Sequence, residues 1–114
     1  MKKYTLPVRS VDRDVYDLIE SGAKKIETRA AGPRYENIQN GDLIVFKCGK
    51  DKFERTVKNV EKFENVEKML VSHKVQDIDP RVETEEGLKK MYHSFPGYDE
   101  RLKKYGIIAF ELEK

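Results

Sequence analysis

Gly22 ends an amphipathic helix, and a short strand begins within four residues. This junction constrains the fold more than any other part of the chain. Upstream, Val11, Val15, Leu18 and Ile19 recur at i, i+4, i+7 and i+8, the spacing of one apolar helical stripe. Ser10 is placed to cap that helix. Asp12 and Asp14 fall in its first turn, where the helix dipole favours acids. Glycine then supplies the left-handed stop. Downstream, Glu27 and Arg29 lie two residues apart, so strand alternation puts both on one face and Ile26 and Thr28 on the other. Lys24 sits in the turn just before. A cation, an acid and a guanidinium thus converge on one small volume, which suits a polar, planar or anionic ligand. The same residue types also describe a solvated strand edge in a charge-rich chain.

The rest of the chain reads as a mixture of short strands and helices. Residues 4–8 form a first strand, and residues 30–37, with Gly32-Pro33, a loop. Asn40-Gly41 is a turn signal before the apolar strand 43–48. A polar connection at 49–52 leads into a long strand with neither face cleanly apolar, which predicts a bulge before Phe63. Asn65 is placed to cap a helix whose apolar face is Val66, Met69 and Leu70, with His73 at its end. Residues 76–80 read as a loop. Thr84 is placed to cap a helix with Leu88, Met91, Tyr92 and Phe95 on one face, and His93 off it. Residues 98–103 form a helical turn and 106–112 a closing strand, with Ile108, Phe110 and Leu112 on one face and Ile107 and Ala109 on the other. Helices that lie between strands without regular alternation indicate an α+β fold.

Composition narrows the function classes. With 114 residues the chain reads as one domain, residues 1–114. Charged residues make up 39%, against about a quarter in typical soluble domains, yet 23 basic and 21 acidic residues leave a net charge of only +2. Global charge therefore does not draw a polyanion, and nucleic acid must bind at a local patch. Cys48 is the only cysteine, which rules out an intramolecular disulfide and argues against a cysteine metal site. Two histidines without ligand spacing give no metal motif. No cofactor is expected: phosphate-loop and dinucleotide glycine patterns are missing, as is a nucleophile elbow. With no signal-peptide pattern and no apolar run of membrane-spanning length, the expectation is a cytoplasmic protein without membrane contact. Oligomeric state is not legible.

The pattern Gly22-x-Lys24-x-x-Glu27-x-Arg29 resembles the signature of the ASCH domain, a small β-barrel family related to the PUA domain. Three further segments are similar to that family. They are Ile38-Gln39-Asn40-Gly41-Asp42-Leu43-Ile44-Val45-Phe46, the aromatic set Tyr92, Phe95 and Tyr98, and Lys104-Tyr105-Gly106-Ile107-Ile108-Ala109-Phe110. The resemblance runs from about residue 4 to 112 and implies a short stand-alone prokaryotic member. The implied fold is a PUA-like barrel of five to six mostly antiparallel strands with helices packed at its ends.

It also implies two functions. The first is binding of RNA or a nucleoside-like molecule in a polar cleft, with Lys24, Glu27, Arg29, Arg34 and Tyr98 as contacts and Tyr35 as a further stacking candidate. The second is hydrolysis of the acetyl amide of N4-acetylcytidine, which some bacterial members of the family carry out with a lysine, a threonine and a glutamate. The lysine matches Lys24. The threonine position is Glu27 here, which removes the implied nucleophile, and Thr28 points to the opposite face. The glutamate aligns loosely with Glu83. Glu27 could instead activate water as a general base. Ribonuclease activity, attributed to some members, ranks below both. A salt-bridge network closing one end of the barrel is the structural alternative for Lys24, Glu27 and Arg29.

Overall fold

The computed structural model describes residues 1–113. Five strands make one mixed sheet: β1 (Lys3–Pro7), β2 (Ile26–Ala30), β3 (Leu43–Cys48), β4 (Asp51–Phe63) and β5 (Ile107–Leu112). Their spatial order is β1-β3-β4-β5-β2. Among the described residues only β1 and β3 run parallel; the other pairs are antiparallel. The sheet curls into a half-barrel, the α+β architecture that the sequence predicts.

Alternation along β5 explains how one sheet serves two cores. Ile108 and Phe110 point into the barrel, where they join Leu6, Tyr16, Ile44 and Phe46. Ile107 and Ala109 point to the outer face. Four helices cover that face: α2 (Val66–Ser72), α3 (Val75–Ile78), α4 (Glu85–Ser94) and α5 (Tyr98–Tyr105). They supply Met69, Ile78, Leu88 and Tyr92, and Ile26 of β2 joins the same cluster. Full burial of each large apolar side chain stabilises by roughly 1.5–3 kcal/mol. A strand apolar on both faces is therefore held between the two clusters, and β2 is carried with it as its neighbour.

Helix α1 (Arg13–Ser21) departs from the predicted stripe. Residues Ser10–Asp12 form a separate 3-10 turn, so the helical phase starts at Arg13. Tyr16 and Ile19 become the buried pair, and Val11 is 78% exposed. Tyr16 packs edge-on against Phe53 with ring centroids 4.9 Å apart. Ser10 makes no cap; Asp12 precedes the helix, and its carboxylate accepts from Arg9 Nε instead. Gly22 ends α1 in the left-handed conformation, φ 86°, as its position requires.

Both predicted caps on the later helices are present. Asn65 accepts from the Lys68 N–H at 2.9 Å, and Thr84 from the Gly87 N–H at 3.0 Å. The bulge in β4 lies between Val57 and Asn59, where Lys58 is the extra residue. The loop expected at 76–80 is replaced by α3, a single helical turn. It forms because Ile78 is fully buried among Met69, Leu88 and Tyr92. No helix among the described residues is long and apolar enough to cross a membrane.

Candidate functional site

Strand β2 is one of the two sheet edges, and it carries the motif. Glu27 and Arg29 stand opposite Phe110 and Ile108 in the β2–β5 register, on the barrel side. Ile26 and Thr28 face the helices, as alternation predicts. Thr28 Oγ1 shares a 2.5 Å hydrogen bond with the Tyr92 hydroxyl of α4. Thr28 is thus held on the face opposite the charged pair.

Lys24 is buried. Its Nζ donates to the Ile26 carbonyl at 2.6 Å and to the Ile78 carbonyl, and it lies 3.6 Å from Glu27 Oε1. Burial holds the Lys24 ammonium below the usual lysine range, although Glu27 and Asp79 oppose that shift. Burial pushes the Glu27 carboxyl up, but Arg29, Lys24 and the Thr28 N–H together outweigh it and hold the group below its ordinary value. Glu27 is therefore an anion, held between Lys24 and Arg29. Its Oε1 accepts from the Thr28 N–H at 2.9 Å, and its Oε2 from Arg29 Nη2 at 3.3 Å.

Arg29 completes the line and reaches the surface, with its side chain 20% exposed. Nη2 also donates to the Pro7 carbonyl of β1 at 3.4 Å, so the guanidinium spans the two edges of the half-barrel. Both contacts use Nη2, which leaves Nε and Nη1 available to a ligand. No buried side-chain nitrogen among the described residues lacks a partner, so these two atoms are open to solvent. Burial lowers the Arg29 pKa, and Glu27, Tyr35 and Tyr98 more than restore it, so the cation is permanent.

Two tyrosines flank the guanidinium. Tyr98, at the start of α5, stacks on Tyr92 with centroids 6.3 Å apart and planes within 4°. Its hydroxyl accepts from the Ala30 N–H at 3.4 Å, and burial raises its pKa. Arg101 lies over the Tyr98 ring at 5.0 Å. Tyr35 packs edge-on against Phe110 and carries Arg34 at 5.7 Å from its ring. Arg34 is exposed.

Lys24, Glu27, Arg29 and Tyr98 are thus gathered along β2, with Arg34 at the rim through Tyr35. Glu83 is not brought to them by any contact. It lies exposed before α4, and its carboxylate forms no hydrogen bond or ion pair with another described residue. The second acid near Lys24, after Glu27, is Asp79, which is 3% exposed. Burial raises its carboxyl, but Arg81 outweighs that and holds it low, through bonds of 3.0 and 2.8 Å. A cavity of about 220 Å³ lies beside Lys24, lined also by Ile19, Gly22, Arg55 and Leu112; Glu27 and Arg29 do not line it. No group of three or more metal-ligating side chains occurs among the described residues.

A curled mixed sheet filled on one face and helix-covered on the other, with a lysine–glutamate–arginine line on its edge strand, defines an α+β half-barrel protein. The chain belongs to the ASCH domain family, which it matches over residues 10–114. It is similar along almost its whole length to two solved structures. The crystal structure of hypothetical protein PH0355 is 32% identical with a TM-score of 0.79, covering 99% of this chain and 98% of that one. The solution NMR structure of protein PF0455 from Pyrococcus furiosus is 28% identical with a TM-score of 0.71, covering 97% and 96%. No curated protein matches the chain.

Proposed function

We propose that this ASCH domain binds RNA or a nucleoside-like molecule in a cleft built around Lys24, Glu27 and Arg29. The observation that carries the reading is the half-open guanidinium of Arg29. It is fixed by Glu27 and the Pro7 carbonyl through one nitrogen, with two further donors free and Tyr35 and Tyr98 alongside. A rigid fork of this kind grips phosphate or a base edge, and a ring beside it offers stacking worth about 1–3 kcal/mol per base. Lys24 and Glu27 act in this reading as supports: buried charges that fix the guanidinium without meeting the ligand. Arg34 and Tyr98 complete the contacts. The near-zero net charge fits a short or single-nucleotide ligand better than a long polyanion.

Arg29→Ala is expected to reduce binding of a short single-stranded RNA at least tenfold in a titration, with the fold intact by circular dichroism. The salt slope should fall by about one ion, as for loss of one phosphate contact. Unchanged binding by the folded variant would remove Arg29 from the site.

One observation supports hydrolysis as a second reading: a buried lysine amine whose pKa is lowered by burial, 3.6 Å from a carboxylate. An amine of this kind is a candidate base. Incubation with N4-acetylcytidine should then release cytidine, and Lys24→Ala should abolish the release. A folded protein that releases none rejects that substrate.

A further inference from the structure

The free edge of β2 holds a more specific clue to the ligand, one that rests on the proposed cleft around Arg29. Leu112 N–H donates to the Lys25 carbonyl, and Ala31 N–H to the Gly106 carbonyl. The odd-numbered residues therefore turn their main-chain groups toward β5. Ile26, Thr28 and Ala30 turn theirs outward, and an unpaired row of that kind invites another strand. Here side chains occupy it. Lys24 Nζ covers the Ile26 carbonyl at 2.6 Å, and Glu27 Oε1 covers the Thr28 N–H at 2.9 Å. Each of these two groups already has a short bond from a buried side chain, so these two positions are closed. A further strand cannot pair along β2.

Four outward groups remain, the Ile26 N–H, the Thr28 carbonyl and both main-chain groups of Ala30, and the two that flank Arg29 are of interest. The Ala30 N–H has only a side-chain partner, the Tyr98 hydroxyl at 3.4 Å. The Thr28 carbonyl points to the same edge, and no described donor reaches it. This acceptor and this donor, two residues apart, flank Arg29 on the edge of β2. We propose that the Thr28 carbonyl and the Ala30 N–H read the Watson–Crick edge of a single unpaired nucleobase, which takes the place of the Tyr98 hydroxyl.

The chemistry of the bases fits this slot. Uracil offers N3–H beside a carbonyl oxygen, cytosine and adenine an amino group beside a ring nitrogen, and guanine N1–H beside O6. Each therefore supplies a donor for Thr28 and an acceptor for Ala30, so the slot tolerates every base. Base pairing uses up that edge, so a duplex is refused. Arg29, with Nε and Nη1 free, lies next along the strand for the phosphate or sugar side of the same nucleotide. The displaced Tyr98 keeps its ring at the rim for stacking.

The test compares three RNA probes by fluorescence anisotropy on the wild-type protein. They are a uridine pentamer, the same pentamer built from N3-methyluridine, and a blunt twelve-base-pair duplex. The uridine pentamer is expected to bind at least tenfold more tightly than either of the others, because the methyl group removes the donor and pairing hides the edge. Ala30→Pro deletes the slot's donor without touching the β5 ladder, since an outward N–H on an edge strand is where proline is tolerated. That variant should lose the tenfold preference. If it does not fold, the methylated pentamer decides alone. Equal binding of both pentamers, still lost in Arg29→Ala, would overturn base-edge reading and leave the cleft in place. No binding of any probe would overturn both.

Discussion

Glu27→Ala is expected to destabilise the protein by about 3–5 kcal/mol, the cost of leaving a buried charge without its partner. Glu27 is 5% exposed and Lys24 6%. Once the carboxylate is gone, Lys24 keeps two carbonyl acceptors but loses its buried counter-ion, and the Thr28 N–H loses its acceptor. Arg29 is released from one of its two anchors. Lys24→Met should cost less, about 1–3 kcal/mol, because Glu27 retains Arg29 and the Thr28 N–H while two carbonyls lose a donor. Urea unfolding of the two variants gives the comparison. A cost below about 1 kcal/mol for Glu27→Ala would mean that Lys24 relaxes to solvent, and the rigid support assigned to Arg29 would fall with it.

The same carboxylate sets an acid limit. Glu27 and Asp79 both have folded pKa values below their ordinary 4.5 and 3.8. In each, burial acts upward and is outweighed, by Arg29 and Lys24 for Glu27 and by Arg81 for Asp79. The unfolded chain therefore takes up protons first. Their contribution is fully present above about pH 5 and is lost as pH falls through the lowered folded values. Glu27→Gln removes one of the two groups, so its urea midpoint should fall less steeply below about pH 4 than that of the wild type.

Much of this arrangement is legible in the sequence, because local rules and tertiary packing agree there. Asn65 and Thr84 cap the helices they precede, and β5 divides its side chains between two cores as its alternation requires. The shared face of Glu27 and Arg29 follows from strand period alone. What sequence cannot carry is the partner that arrives from far along the chain. The Ile78 carbonyl that fixes Lys24 is a main-chain group 54 residues away, on a helical turn made by burial of Ile78 and not by propensity. The second acid near Lys24 is Asp79, whose only local signal is Arg81 two residues on, a pairing that surface loops also show. Glu83, which loose alignment assigns to the same neighbourhood, faces water. Periodicity puts Val11 on a stripe that the 3-10 turn before Arg13 interrupts.

Gly106→Ala is expected to be as damaging as any single change in the sheet, at least ~3 kcal/mol. Gly106 sits at φ 79° and ψ −161°, a conformation almost confined to glycine. An added Cβ would lie 2.3 Å from the Phe63 carbonyl oxygen, a main-chain atom at the end of β4 that cannot turn aside. Relief requires β4 and β5 to separate where Phe63 faces Ile107. Gly106 also ends α5 by donating to the Leu102 carbonyl at 2.8 Å, and it accepts from the Ala31 N–H at 2.9 Å. A shift at this one residue thus reaches the far end of β2, one position beyond Ala30, and the helix that carries Tyr98. Gly32→Ala is the matched control: its Cβ would meet the Tyr105 ring at 3.7 Å, an ordinary contact, and the change should stay within about 1 kcal/mol. Thermal unfolding of both variants separates the two cases. A Gly106→Ala protein as stable as Gly32→Ala would show that the β4–β5 end yields freely, and β5 could not then be the rigid strand that holds the motif edge in register.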